Sequence, residues 1–252
     1  HAAEAAAYTF ADTVAWNAEY DVVVCGFGAA GGTAAIYAAD AGAKVLLVDV
    51  APEGEEGGNS RMAAQMACSA LDADEAFEYY NDGLSWHFDM DQELLKTYTQ
   101  GEYEIPDILE YLGDTKDTQW QLNPGKSVTP EYPEYEAGQT IYMSFVHQGM
   151  FDSALWKLVR SNVLDRADAI DVWYSSPVKH LVQDPQTKTI VGAQIDKDGE
   201  ELLVRAKNGV VLACGGFENN TAMIQNYLGA ARLTPFGTLH NNGDGVRIGI
   251  EV

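Results

Sequence analysis

The sequence has few basic residues and no long apolar run. It contains 15 Lys and Arg residues against 38 Asp and Glu residues, which gives a formal net charge of -23. Such a surface repels a phosphate backbone, so we do not expect nucleic acid as a partner. A helix needs roughly 20 consecutive apolar residues to cross a bilayer. No stretch of the chain approaches that length, so we expect no membrane span within it.

Cysteine is also scarce. Cys25, Cys68 and Cys214 lie far apart, and no two of them form a CxxC pair. This spacing argues against a zinc site, a thioredoxin-like centre and c-type haem attachment. Three thiols also cannot supply all the ligands of a four-cysteine iron–sulfur cluster. We therefore predict structural roles for the cysteines, and no metal site.

The chain does contain enough apolar residues for a core. Hydrophobic residues make up 46% of its 252 residues, which is sufficient for one large domain. Residues 1–19, which begin HAAEAAA, are predicted to be an N-terminal tether. Such a start fits a remnant left after removal of a signal peptide or an expression tag, and export is one interpretation of it. Residues 20–252 are predicted to form one α/β domain.

The predicted domain begins with a strand, a helix and a second strand. The run EYDVVVC, which ends at Cys25, is apolar in the way of a strand buried on both faces of a parallel sheet. Residues 29–41 are small helix formers, Gly42 is placed to end that helix, and KVLLVDV at 44–50 is a second buried strand. This order predicts a right-handed βαβ unit.

The remaining segments predict covering helices and an antiparallel insertion. Residues 72–113 are predicted to be mostly helical, and residues 150–167 to form an amphipathic helix. Residues 114–149 are predicted to be irregular, because they are rich in turn formers and include Pro124, Pro130 and Pro133. The segments IDVWYSSPVKHLVQD, IVGAQID and LLVRAKNGVVLACGG are predicted to be antiparallel strands of a β-meander.

The turn after the first strand carries a glycine motif. The sequence GFGAAG at residues 26–31 is a GxGxxG that leaves a predicted strand and opens a predicted helix. Gly26 permits a tight turn, Gly28 lets backbone N–H groups approach a pyrophosphate, and Gly31 lets helix and strand pack closely. The helix N-terminus favours an anion. The motif predicts dinucleotide binding, with an ordinary βαβ turn as the alternative.

An acidic residue completes this pattern. Asp49 ends the second strand, where a carboxylate can accept hydrogen bonds from the hydroxyls of a ribose. Strand, helix, spacing and acid together favour dinucleotide binding over an ordinary turn. FAD and NAD share these features, so these residues leave a flavoprotein and an NAD-dependent enzyme both open.

Three further segments point to FAD. They are GGNSRMAA at 57–64, GVVLACGGF at 209–217 and GTLHNNGDG at 237–245. In order and spacing they resemble segments of the fumarate reductase and succinate dehydrogenase flavoprotein family, which also includes urocanate reductases, aspartate oxidases and 3-ketosteroid dehydrogenases. The resemblance covers residues 20 to about 250, and it implies a Rossmann-like FAD-binding domain with a parallel sheet, covering helices and an inserted antiparallel β-meander.

The resemblance also implies roles for residues. In the family, the GGNS-type loop runs beside the isoalloxazine ring and the pyrophosphate, and the Gly-Gly end of the later strand passes close to FAD. Asp244 would hold the ribityl or pyrophosphate region, although an Asp between glycines is also a common turn residue. Val178 would contact adenine. The predicted cofactor-binding residues are Gly26, Phe27, Gly28, Ala29, Ala30, Gly31, Asp49, Val50, Gly57, Gly58, Asn59, Ser60, Met62, Ala63, Ala64, Gln65, Val178, Ala213, Cys214, Gly215, Asn219 and Asp244.

The chain departs from the family pattern at several positions. Gln65 and Met66 stand where many relatives have a second Gly-Gly, which is expected to change what packs against the flavin. Cys214 replaces a usual Thr, and Asp49 replaces a usual Glu. Succinate dehydrogenases attach FAD through a histidine in the loop after the second strand, and no histidine lies between Asp49 and Cys68. We therefore expect non-covalent FAD.

The function implied is hydride transfer between flavin and a C=C bond conjugated to a carbonyl or carboxylate. The direction, the small-molecule substrate and the electron donor stay open. In the family the substrate-binding histidines and the proton-delivering arginine follow the GDG segment, so we expect them outside this chain. They would belong to a capping part, which is the expected partner of the chain, either as its continuation or as a second chain. None of the histidines is assigned as a general acid, although His240 is nearest the flavin motifs. The main alternative is a non-catalytic FAD-binding module that relays electrons or acts as a scaffold.

Overall fold

The computed structural model describes residues 9–84, 89–115, 117–122, 134–148, 152–231 and 233–252. It divides into two compact units, one made of His1–Met62 with Val159–Val252 and the other of Ala63–Leu158. The strands within the described residues are β1 (Ala18–Cys25), β2 (Val45–Val48), β3 (Met66–Ala70), β4 (Trp120–Leu122), β5 (Ile141–Phe145), β6 (Ile170–Trp173), β7 (Val178–Gln183), β8 (Ile190–Lys197) and β9 (Glu200–Leu212).

The helices of the described residues connect these strands. They are α1 (Ala29–Asp40), α2 (Gly58–Met62), α3 (Ala73–Leu84), α4 (Gln92–Tyr111), α5 (Ala154–Leu164), α6 (Thr221–Leu228) and α7 (Asp244–Ile250), with short 3-10 turns at Phe10–Thr13 and Glu136–Thr140. None of the helices in this part of the chain is long and apolar enough to span a membrane.

The first unit contains a six-stranded sheet in the order β6-β2-β1-β9-β8-β7. Strands β6, β2, β1 and β9 run parallel to one another, whereas β8 runs antiparallel to both of its neighbours, β9 and β7. The long strand β9 takes part in both patterns, since it pairs with β8 in its first half and with β1 through Leu212. The predicted fold class, a parallel sheet with helices and an inserted antiparallel meander, is confirmed.

The core of the first unit follows from its apolar strands. Val45–Val48 is buried along its whole length, as expected for a strand covered on both faces of a parallel sheet. Val23, Ile195 and Ile248 are fully buried in one cluster with these strands. The predicted βαβ unit is confirmed, and Gly42 follows α1 with a φ of +91°, a conformation that glycine adopts without strain.

One predicted strand proved to be two. The segment at 170–184 was predicted to be a single antiparallel strand, but β6 pairs in parallel with β2 and only β7 is antiparallel to β8. Between them Ser175 adopts a φ of +49°, and the backbone N–H of Ser176 donates to the carbonyl oxygen of Asp49 at 2.8 Å. Pro177 then offers no N–H for a ladder, so the chain leaves the parallel sheet here.

The residues before β1 are tied to β9. The backbone N–H of Asn17 donates to the carbonyl oxygen of Leu203 at 2.8 Å, and the N–H of Leu203 donates to Asn17 Oδ1, also at 2.8 Å. An ion pair of 3.8 Å joins Arg205 to Asp12. Residues 9–17 therefore add hydrogen bonds to the sheet, whereas the boundary at 19/20 stays a prediction.

The second unit combines two helices with a three-stranded antiparallel sheet. Helices α3 and α4 confirm the helical prediction for the described part of 72–113, which leaves out 85–88, and the sheet order is β3-β5-β4. The prediction of irregular structure for 114–149 was wrong at β4 and β5. Strand β5 is difficult to predict from the sequence for two reasons. Nearly all its side chains are buried, so it lacks alternation of apolar and polar residues, and its partner β3 is remote in sequence, with Phe145 opposite Met66. Pro124, Pro130 and Pro133 lie outside the described residues.

Candidate cofactor site

A cavity of about 280 Å³ opens at the carboxyl ends of the parallel strands of the first unit. It lies among the residues that follow β1, β2 and β9. In open α/β sheets ligands bind at this edge, because the loops that leave adjacent parallel strands converge there. The position of the cavity therefore follows from the sheet order.

Most of the predicted cofactor-binding residues line this cavity. Those that line it are Gly26, Phe27, Gly28, Ala29, Ala30, Asp49, Val50, Gly57, Gly58, Asn59, Ser60, Val178, Ala213, Cys214, Gly215 and Asp244. The predicted residues outside the lining are Gly31, Met62, Ala63, Ala64, Gln65 and Asn219. Lining residues that the prediction missed are Cys25, Val48, Ala51, Ser176, Pro177, Gly216, Thr238, His240 and Asn241.

The glycine turn has two different steric requirements. Gly26 adopts a φ of +106°, and a Cβ there would overlap the carbonyl oxygen of Ala213. A Cβ on Gly31 would overlap the carbonyl oxygen of Gly26, so Gly31 sets the approach of α1 to β1. Gly28 is different, because its backbone is extended and a Cβ would lie 3.5 Å from Ser60 Oγ, an ordinary contact. The surrounding protein therefore leaves room for a side chain at Gly28.

Asp49 shapes the same turn from β2. Its carboxylate is buried and accepts the backbone N–H of Phe27 at 2.6 Å and that of Ala51 at 2.7 Å. Burial raises the pKa of Asp49, against the two backbone hydrogen bonds, which lower it. A carboxylate has about four lone-pair positions, so both oxygens retain capacity for a ligand hydroxyl.

Of the predicted residues outside the lining, Gln65 and Asn219 have clear structural roles. Gln65 is buried in the second unit, where its Oε1 accepts the backbone N–H of Trp156 at 3.0 Å. Asn219 Nδ2 donates to the carbonyl oxygen of Thr238 at 2.9 Å, which joins two loops of the first unit. Met62 is 50% exposed.

The loop before the GGNS segment is held by a buried ion pair. Glu56 is fully buried, and its Oε1 accepts from Arg160 Nε at 2.6 Å, while the other oxygen accepts the N–H of Gly54 at 2.5 Å. Because a buried carboxylate needs such partners, the pair fixes the loop that delivers Gly57 and Gly58 to the cavity.

Cys214 and Asp244 face the cavity from the later segments. Cys214 Sγ donates to the carbonyl oxygen of Cys25 at 3.3 Å, a contact that the hydroxyl of a Thr can also make. Burial, with the charges of Asp244 and Asp49, raises the pKa of the Cys214 thiol to about 11. Asp244 begins α7 and lies 3.5 Å from Arg247 Nη2. Among the described residues no cluster of His, Cys, Asp and Glu is arranged to hold a metal ion.

His240 is the histidine that the structure brings to the cavity. Its Nε2 lies 3.1 Å from Glu55 Oε2, and its backbone N–H donates to Thr238 Oγ1 at 3.2 Å. His147 and His180 instead form exposed pairs with Asp152 and Glu251, each at 2.7 Å. His1 and His87 lie outside the described residues.

The sheet, the glycine turn and the acid at the end of β2 define a dinucleotide-binding α/β protein. Comparison with known proteins narrows this class: residues 21–252 match the model of the FAD binding domain family, and the chain belongs to that family. The digoxin reductase of Eggerthella lenta is 26% identical over an alignment of 274 positions, which covers 95% of this chain and 45% of that protein.

Solved structures agree in fold. A flavocytochrome c3 fumarate reductase in an open conformation superposes with a TM-score of 0.75 at 24% identity, over 96% of this chain and 42% of that one. The 3-ketosteroid-delta4-(5alpha)-dehydrogenase of Rhodococcus jostii RHA1 gives a TM-score of 0.73 at 22% identity, over 96% of this chain and 55% of that one. The chain thus spans roughly half the length of these proteins.

Proposed function

We propose that this chain binds FAD non-covalently in the cavity at the ends of β1, β2 and β9. The observation that carries the proposal is the convergence there of the glycine turn, Asp49 and the GGNS, ACGG and GDG segments. Gly28 supports it independently, because the fold itself does not require a glycine at that position. The family match supports FAD over NAD.

The charges of the lining suggest how an anionic cofactor would be held. The described lining residues include Asp49 and Asp244 but no Lys or Arg. A pyrophosphate would therefore depend on backbone N–H groups and on the N-terminus of α1, which carries partial positive charge. In our proposal Asp49 accepts hydrogen bonds from the adenosine ribose, Val178 contacts adenine, and Gly28 leaves room for the pyrophosphate.

We further propose that the whole protein is a flavin-dependent oxidoreductase. Bound FAD would supply hydride chemistry, and the substrate class would be a compound with a C=C bond conjugated to a carbonyl or carboxylate. The names of two relatives support this proposal: digoxin reductase and the NADH:fumarate oxidoreductase of Klebsiella pneumoniae, which is 27% identical over 82% of this chain. The groups that position substrate and deliver a proton would lie outside this chain.

A capping part is proposed as the partner of this chain. The digoxin reductase is about twice as long as the matched region. In this chain Phe236 is 98% exposed and Leu239 is 79% exposed, and both flank the cavity-lining Thr238 in sequence. Exposed apolar side chains beside a cofactor site are suited to contact with a further protein surface.

The visible absorption spectrum of the purified protein tests cofactor binding, and acid precipitation tests its attachment. We expect flavin bands after purification or after addition of FAD, and release of the yellow chromophore into the supernatant. A folded protein, as judged by circular dichroism, that stays colourless with added FAD would contradict FAD binding. Chromophore retained in the pellet would contradict non-covalent attachment, and tight NADH binding without flavin would favour an NAD-dependent enzyme.

Turnover distinguishes an enzyme from an electron-relay or scaffold module. The complete protein should oxidise a reduced viologen dye in the presence of an enone or an enoate. Flavin reduction by the dye without reoxidation by any such acceptor would favour the non-catalytic module.

A further inference from the structure

Three segments that line the cavity meet at the carboxylate of Glu218. Asn59 lines the cavity from α2, Thr238 and Asn241 line it from one loop before α7, and Gly215 and Gly216 line it from the loop after β9. Glu218 does not line the cavity and lies in that same loop after β9. We call Asn59, Glu218, Thr238 and Asn241 the Glu218 cluster.

Hydrogen bonds connect the cluster through a single oxygen. Glu218 Oε1 accepts Asn59 Nδ2 at 2.7 Å and Asn241 Nδ2 at 2.8 Å. The amide of Asn59 is used at both ends, because its Oδ1 accepts the backbone N–H of Thr238 at 3.1 Å. Both amide groups are thereby oriented, and the Glu218 side chain joins its own loop to α2 and to the loop before α7.

Glycines make room for this cluster. A Cβ on Gly215 would lie 2.7 Å from Asn241 Oδ1, and a Cβ on Gly216 would lie 2.6 Å from Glu218 Oε2. A Cβ on Gly237 would overlap Asn59 Oδ1. Distances this short force a side chain to move, so the cluster in its present arrangement leaves no room for a Cβ at these three positions.

Glu218 is an anion at neutral pH. Burial acts to raise its pKa, but hydrogen bonds from its own backbone N–H, Asn241 and Asn59 outweigh burial and lower the pKa below its usual value. Hydrogen bonds to an ionised acceptor are stronger than those between neutral groups. Both amide hydrogen bonds of the cluster therefore have an ionised acceptor at neutral pH.

We propose that Glu218 is a positioning residue of the cofactor site, whose carboxylate fixes Asn59 and Asn241 and so holds three cavity-lining segments together: α2, the loop after β9 and the loop before α7. This role rests on the proposed function, because the ligand whose site is held is FAD. Without the carboxylate the two amides lose their common acceptor, the loops separate more readily, and bound FAD dissociates faster.

The test compares FAD binding by four purified proteins: the wild type, Glu218→Ala, Glu218→Gln and the control Glu201→Ala. The control removes a similar amide–carboxylate bond, since Glu201 Oε2 accepts Gln194 Nε2 at 2.7 Å on the exposed surface of β8 and β9. FAD affinity is measured by flavin fluorescence titration, and the dissociation rate by stopped flow. Urea unfolding of the FAD-free proteins reports stability separately.

We expect Glu218→Ala to bind FAD about tenfold more weakly, chiefly through faster dissociation, since hydrogen bonds to a charged group are lost. Glu218→Gln retains an oxygen acceptor, so its affinity should return to within about threefold of the wild type, and Glu201→Ala should match the wild type. Equal affinity of Glu218→Ala and wild type would overturn the role alone, as would a Glu218→Gln protein no better than Glu218→Ala. A folded wild type without FAD affinity would refute the proposed function and this role together.

Discussion

Two glycine-to-alanine changes in one turn should have opposite effects. Gly28 and Gly31 receive the same added methyl group, but a Cβ at Gly31 overlaps the carbonyl oxygen of Gly26, whereas a Cβ at Gly28 lies 3.5 Å from Ser60 Oγ and 3.6 Å from the Gly57 carbonyl oxygen. Gly31→Ala must push α1 away from β1, and we expect a loss of about 3 kcal/mol in the free energy of unfolding. Gly28→Ala fits, and it restricts the unfolded chain, so stability should change by less than about 1 kcal/mol.

FAD affinity, in contrast to stability, should be strongly reduced in Gly28→Ala. The methyl group of Gly28→Ala occupies space where backbone N–H groups would face the pyrophosphate. Loss of two charge-assisted hydrogen bonds at about 1.5 kcal/mol each corresponds to roughly 100-fold weaker FAD binding. Urea unfolding of the FAD-free proteins and flavin fluorescence titration measure the two effects independently.

The control for this comparison is Gly101→Ala, within α4, where an added Cβ meets nothing within 4 Å. It should leave FAD affinity unchanged and should not lower stability. If Gly28→Ala binds FAD within threefold of the wild type, the pyrophosphate does not approach that backbone. If Gly31→Ala is as stable as Gly101→Ala, the close packing of α1 on β1 is not a constraint.

Three further predictions concern buried groups. Burial raises the pKa of Glu102, although hydrogen bonds from Tyr98, Cys68 and Tyr80 lower it, so its contribution to stability is complete below the unfolded pKa and is lost as pH rises through the folded pKa. Between pH 5 and pH 8, the free energy of unfolding in urea should therefore fall less for Glu102→Gln than for the wild type. An equal fall in both proteins would contradict this. Arg160→Met leaves the buried carboxylate of Glu56 without its cation and should lower the free energy of unfolding in urea by about 3 kcal/mol. Adding Glu56→Gln to this variant should restore most of the lost stability, and no recovery would refute the ion pair. The pKa of the Cys214 thiol is about 11, so only about one thiol in a thousand is ionised at pH 8. Iodoacetamide should therefore alkylate Cys214 slowly, and faster as the pH rises, as measured by peptide mapping. Rapid labelling at pH 7 would contradict this.

The parts of the fold that depend on local pattern could be predicted from the sequence. The apolar run into Cys25, the small residues of α1 and the second strand ending before Asp49 identify a βαβ unit by neighbouring residues alone. The glycine motif between them then places the cavity, because the sheet edge is fixed by the direction of the strands.

The parts of the fold that depend on pairing between remote segments could not be predicted from the sequence. Strand β5 was missed because its partner is β3, and no turn sequence joins the two. The division of β6 from β7 depends on Ser176, whose backbone N–H is satisfied by Asp49 rather than by a neighbouring strand. In a stretch of alternating apolar residues such a break leaves little trace except Pro177.

The candidate site shows the same division. Asp49 and the glycines of the turn were found because their spacing along the chain is itself the signal. His240, Thr238 and Asn241 were missed because they reach the cavity only through folding of the loop before α7. The dense asparagines beside Phe217 and His240 were the one available hint, since side-chain amides often cross-link loops.

Strand β9 pairs with both β1 and β8, and this affects how the protein folds. The central pair of the parallel sheet joins β1, near residue 20, to the end of β9, with Cys25 opposite Leu212. Nearly two hundred residues must be synthesised after β1 before β9 can pair with it, so one edge of β1 stays unpaired through most of synthesis. Pairing over such a separation is slow and exposes apolar strands to other chains. Yield of folded protein should therefore respond strongly to temperature and chaperone supply during expression.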